Sequence, residues 1–184
     1  MREFDAESVL QLLDELKDRL SARGVRGTIK VAGGAAMLLN YPDDPDVRVT
    51  TDIDALIEPS EEIDEVVAEM AHDLELPRHW LNAAGRSWLR VAGDEQDDPV
   101  SVSVATPKEL IAMKLAAARD KDAADLAIIA RHEGIDDPSE LVDIAYEIYG
   151  EDSVELPDGR PSYLWFAADV ISESNRPRRR PRRK

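Results

Sequence analysis

The sequence predicts an α+β fold, and three observations point to it. Apolar residues repeat at helical spacing, then in short strand-like runs, in the order α, β, α, β, α, β, β, after which the remainder is helical. A β-like run stops at Gly33-Gly34 and gives way at once to a helical stretch. Two late helices open on strong start signals, Thr106-Pro107-Lys108-Glu109 and Asp137-Pro138-Ser139-Glu140, each a cap, a proline and an acid three residues after the cap.

Taken in order, Val9, Leu13, Leu16 and Leu20 form the apolar stripe of an amphipathic helix that ends near Gly24. Thr28 to Ala32 reads as a short strand, and Ala35 to Leu39 as the helix beyond the diglycine turn. A polar loop from Tyr41 to Arg48 leads to a predicted strand over Val49 to Ile57, with Asp52 and Asp54 inside it. Ile63, Val66, Val67, Met70 and Leu74 predict a third helix, and Trp88 to Val91 and Val100 to Val104 two further strands around an acidic turn. A helix then runs from Pro107 through Met113, Lys114 and Leu115, and another carries Leu141, Ile144, Ala145 and Ile148. This divides the chain into a core with its N-terminal helix over 1–105, a helical portion of the same domain over 106–172, and a disordered basic tail over 173–184. Trp80, Trp88 and Trp165 are expected in the core.

Composition excludes several functions. With 184 residues, 43% of them hydrophobic, the chain can bury a core, and with no cysteine it has no disulfide framework, thiolate zinc site or cysteine nucleophile. No run of eighteen apolar residues occurs, and MREFDAESVL has neither a basic nor an apolar leader region, so a cytoplasmic protein with no membrane partner is expected. The net charge is −16, yet seven basic residues fall in the last nine. Without them sixteen basic residues face thirty-nine acidic ones, about −23, which argues against a broad duplex-DNA-binding face.

Chemistry concentrates in two places. Residues i and i+2 of a strand project from one face, so Asp52 and Asp54 bring two carboxylates together, and a hard divalent cation such as Mg²⁺ offsets their repulsion. Gly33-Gly34 lies eighteen residues before Asp52, at a strand-to-helix turn where backbone N–H groups approach a ligand closely and a helix start favours phosphate. Thr50 and Thr51, just before Asp52, add hydroxyls that can reach a phosphate. At about 100° per residue, Lys121 and Asp125 lie within roughly 20° of Lys114 and Asp122 about 80° away, so an unbroken helix favours Asp125, whereas a break near Arg119 to Lys121 restores Asp122.

These motifs, VAGGAAMLLN followed by TTDIDALIE, resemble the Gly-Gly and Asp-x-Asp signature of the DNA polymerase β-like nucleotidyltransferases. The stretch from Lys114 to Leu126 is similar to the Lys, Arg, Lys/Arg-Asp-x-x-Asp-Leu motif of the AbiEii-type members, which are abortive-infection and toxin–antitoxin proteins. The resemblance covers Val31 to Leu126 and implies a small mixed sheet flanked by helices. It implies that Gly33, Gly34 and Thr51 support an NTP triphosphate, that Asp52 and Asp54 hold Mg²⁺, that Lys114 contacts phosphate, and that Asp122 or Asp125 is the acid of the last motif. The implied reaction moves a nucleoside monophosphate to an RNA acceptor such as tRNA, or to a protein, in a toxin-like enzyme with a cognate antitoxin. The polymerase β-like pattern also places a third carboxylate on a later strand beside the first two, but Val100-Ser101-Val102-Ser103-Val104 carries no acid. That departure keeps two alternatives open, a non-catalytic nucleotide-binding or interaction module of a two-gene system and a small-molecule nucleotidyltransferase of the aminoglycoside type.

Overall fold

Alternation along the strands decides how the sheet sits. In the computed structural model, which describes residues 2–83 and 98–175, β1 (Gly27–Val31) lies between β2 (Ile53–Glu58) and β4 (Val100–Val104), and β3 (Leu81–Asn82) completes a four-stranded sheet of order β3-β2-β1-β4. β1 runs antiparallel to β2 and parallel to β4, and β3 runs parallel to β2. This is the mixed α+β class that the sequence predicts. Because partners in register share a face, Ile29, Val31, Ala55, Ile57, Val102 and Val104 point one way and Thr28, Lys30, Leu56, Ser101 and Ser103 the other. Helix α3 (Ser60–Asp73) covers the apolar face: a Cβ placed on Gly27 would lie 3.2 Å from Ile63 Cδ1. Helix α1 (Ala6–Ala22), its Asp5 cap accepting from Ser8 N at 2.9 Å, packs its Val9, Leu13, Leu16 and Leu20 stripe against β4 and α3.

The strand with the aspartates is shorter than expected. β2 starts at Ile53 rather than Val49, so Asp54 is inside it and Asp52 sits in the bend before it. Thr50 is drawn into an isolated two-way bridge with buried Phe4, and its Oγ1 donates to the Asp52 carbonyl at 2.8 Å, a side-chain bond in place of ladder pairing. The Ile53 N–H is taken by the Trp80 carbonyl at 2.7 Å, which starts the β2–β3 pairing. The sequence reading did not mark β3, and its strand over Trp88 to Val91 lies outside the described residues.

The chain divides into two compact units, Met1–Thr106 and Pro107–Lys184. The second consists of α4 (Pro107–Ala117), α5 (Asp120–Glu133), α6 (Pro138–Tyr149) and α7 (Gly159–Ser174), with α4 on α5 and α6, and α7 on α5 and α6. Asp137 caps α6 from in front of Pro138, accepting from Ser139 N at 2.9 Å. Helix α7 continues through Ser174, two residues into the stretch expected to be tail, and the basic residues of that tail lie outside the described ones. Among the tryptophans Trp80 is fully buried, Trp165 is 80% exposed against expectation because it faces outward on α7, and Trp88 is not described. Among the described residues no helix is long and apolar enough to cross a membrane.

Trp80 fills the first unit's core and its indole N–H donates to the Val67 carbonyl at 3.1 Å. Trp80→Ala removes a fully buried ring and this bond, and is expected to cost about 3–5 kcal/mol in denaturant-induced unfolding.

Candidate functional site

The site grows from the strand–glycine–helix corner. β1 ends at Val31, Ala32 N donates to the Asp54 carbonyl at 2.7 Å, and α2 (Gly33–Asn40) begins with both glycines in its first turn. Gly33 has φ +58°, a left-handed conformation, and a Cβ there would lie 2.5 Å from Asp54 Oδ2. Only glycine lets the carboxylate come so near the helix start. A Cβ on Gly34 would meet Thr50 Oγ1 at 3.3 Å. Ala32 caps the helix with no side-chain bond of its own, and the first N–H groups of an α-helix have no partner within the helix.

The two aspartates are brought to this corner. Both are half-buried, Asp54 over Gly33 and Asp52 beside Thr50, whose hydroxyl lies 3.4 Å from Asp52 Oδ1. Asn82 Nδ2 reaches Asp52 Oδ2 at 3.3 Å, and in the β2–β3 register Asn82 stands beside Asp54. Asn82 thus stands level with Asp54 and touches Asp52. Thr51 is in the same bend, but the hydroxyl that meets Asp52 belongs to Thr50.

The donor set is oxygen-based: two carboxylates, a hydroxyl and a carboxamide. That chemistry fits a hard cation, and the missing side chain at Gly33 admits the Asp54 carboxylate against the helix start. Among the described residues no group of three or more His, Cys, Asp or Glu side chains is placed to hold a metal. A cation at Asp52 and Asp54 would therefore complete its shell with water and substrate oxygens, as Mg²⁺ commonly does.

Sequence reasoning missed Asn82 and Lys30. Lys30 is buried and lies on the same sheet face as Asp54, and alternation with Ile29 and Val31 already carried that signal. Asn82 had none, because a two-residue strand leaves no pattern. The strand beside β2 is β3, whereas β4, where a third acid was sought, lies on the far side of β1. The position next to Asp54 thus holds an amide rather than an acid.

The second unit gathers the other candidates. Helix α4 ends at Ala117, Ala118 takes φ +44°, and α5 starts after Arg119, so the break that brings Asp122 back to Lys114 is present. Lys114 Nζ lies 2.6 Å from Asp125 Oδ2 and 3.7 Å from Asp122 Oδ1, while Arg119 donates to both oxygens of Asp122 at 2.5 and 3.2 Å. The Lys114 and Asp122 side chains are only 8% and 3% exposed, so this is a buried ion network at the α4–α5 corner.

The small mixed sheet thus brings Asp54 against a glycine-led helix start, with Asp52 two residues before it. Residues 7–136 match the family described as "Nucleotidyltransferase of unknown function (DUF6036)", and with most of its length inside that match the chain belongs to this family. No curated protein and no solved structure matches it. Membership reaches the general nucleotidyltransferase class and carries no assignment to AbiEii-type or toxin–antitoxin proteins.

Two outcomes are expected. Gly33→Ala forces a side chain into the left-handed region and against Asp54, with a stability loss of about 1–3 kcal/mol by denaturant unfolding and loss of whatever ligand the corner holds. Lys114→Met takes the cation from half-buried Asp125 and leaves buried Asp122 with Arg119 alone, and costs about 3 kcal/mol in the same measurement, part of which Lys114→Arg restores.

Proposed function

We propose that this chain transfers a nucleoside monophosphate from an NTP to a hydroxyl acceptor on RNA or protein, with Mg²⁺ at Asp52 and Asp54. The observation that carries the reading is the closeness of Asp54 to Gly33, which couples an acidic strand to a helix start suited to phosphate. When bound, the cation supplies charge neutralisation and Lewis acidity at the α-phosphate. The backbone N–H groups at Gly33 and Gly34 bind the phosphates beyond it, and Thr50 and Asn82 orient Asp52. The acceptor oxygen attacks the α-phosphorus, the bond to the β-phosphate bridging oxygen breaks, pyrophosphate leaves, and the hydroxyl proton passes to water.

Lys114 enters this reading conditionally. A phosphate contact requires its ammonium to exchange one aspartate, and Asp122 at 3.7 Å is the looser partner. The amide beside Asp54 favours a second reading, a module that binds nucleotide and does not turn it over. A toxin-like role with an antitoxin partner belongs to the first reading and rests on the resemblance of the Lys114 to Leu126 stretch alone.

Incubation with Mg²⁺, each α-labelled NTP and either total tRNA or cell lysate separates them. Label is expected on RNA or protein, reduced at least about a hundredfold by Asp52→Ala or Asp54→Ala and removed by chelation. Label on a small acceptor selects the aminoglycoside-type alternative. No transfer, with nucleotide binding unchanged in Asp52→Ala, selects the module.

A further inference from the structure

We infer that Asn82 is a positioning residue for the cation, a neutral third member that holds Asp52 in place and sets how tightly the site takes a divalent ion. The inference rests on the reading of Asp52 and Asp54 as the cation site and goes beyond it. Three observations support it. Asn82 stands beside Asp54 in the β2–β3 register, its Nδ2 is directed at Asp52 Oδ2 at 3.3 Å, and β3 is fixed beside β2 by the bond from Ile53 N to the Trp80 carbonyl at 2.7 Å. Buried Trp80, two residues before Asn82, anchors this short strand, so the amide is delivered by the core.

The chemistry follows from the amide. With Asn82 donating to Oδ2, the Asp52 carboxylate is oriented by a group that carries no charge, and its own negative charge stays available to a cation. An acid at position 82 would orient nothing in its ionised form, because it has no proton to donate, and would add a third like charge. Such a site would bind divalent ions more tightly and tolerate their absence less well. Asn82 therefore sets the site toward modest affinity, in which substrate phosphates supply the remaining negative oxygens.

The test uses Mn²⁺ as the probe, titrated into the full chain without nucleotide and followed by the electron paramagnetic resonance signal of free Mn²⁺. Binding by the parent is expected to be lost in Asp52→Ala. Asn82→Ala is expected to weaken it about tenfold, the worth of one bond to a charged group. Asn82→Asp, nearly identical in shape, is expected to tighten binding at least about fivefold and to lower the thermal midpoint of the metal-free protein, with recovery on adding Mn²⁺. A merely structural role moves both variants the same way. Two variants that both weaken binding, or both leave it unchanged, overturn the inference while the cation site stands. A parent that binds no Mn²⁺, or binds it equally in Asp52→Ala, overturns both. If Asn82→Ala proves unfolded by circular dichroism, Asn82→Leu, close in shape and unable to donate, takes its place: the same tenfold weakening supports the inference and unchanged binding overturns it.

Discussion

Asp52, in the bend before β2, and Asp54, inside it, are two acids only two residues apart, and much of the first unit fixes the backbone that carries them. For scale, like unit charges about 4 Å apart repel by ~1 kcal/mol in water and ~4 kcal/mol at the effective dielectric of a protein surface. Free side chains relieve that by turning apart. Here the backbone on both sides is pinned: Thr50 is bonded in both directions to buried Phe4, Ile53 to Trp80, and the Asp54 carbonyl to Ala32. The core thus holds the acidic pair at the mouth of the site, so that stability and site geometry are linked through the same few backbone bonds.

The diglycine is best understood from the same constraint. A helix start offers N–H groups to an anion, and a carboxylate brought against it is an anion of the wrong kind unless it leaves room for another. Gly33 admits Asp54 Oδ2 into the volume a side chain would fill, and Gly34 admits Thr50. Absence of side chains there shortens the distance between the helix-start backbone and the Asp54 carboxylate. On the proposed reading a phosphate and a metal ion that share oxygens need that closeness, and neither feature alone says much.

Some of this was legible in the sequence. The strand, glycine turn and helix from Thr28 to Leu39, the Asp-x-Asp spacing and the caps before α4 and α6 are all local signals, decided within a few residues. What was not legible depends on pairing across the chain. The start of β2 at Ile53 is set by Phe4 and Trp80, nearly fifty residues before and almost thirty after it, and nothing in Val49 to Asp52 announces either. The two residues of β3 are too few for a periodicity, so Asn82 was invisible although it touches Asp52. Lys30 lay between in legibility: alternation placed it opposite Ile29 and Val31, but only the register with Leu56 and Ser103 shows which functional residues share its face.

The two acidic clusters of the chain are balanced in different ways, and the difference bears on what each can do. In the second unit the buried carboxylate of Asp122 and the half-buried one of Asp125 are met by Lys114 and Arg119, so charge is cancelled within the protein and the network braces the break at Ala118. A lysine so held gives up an ion pair before it can meet a phosphate. In the first unit the Asp52 carboxylate is met by the Asn82 amide, a donor that fixes its direction without cancelling its charge. Neutral donors suit a carboxylate whose charge is needed elsewhere, whereas cationic donors suit one whose work is structural. On that ground Asp52 is the stronger candidate for ligand binding, and Asp122, the most enclosed of these acids, the stronger candidate for holding the helices together.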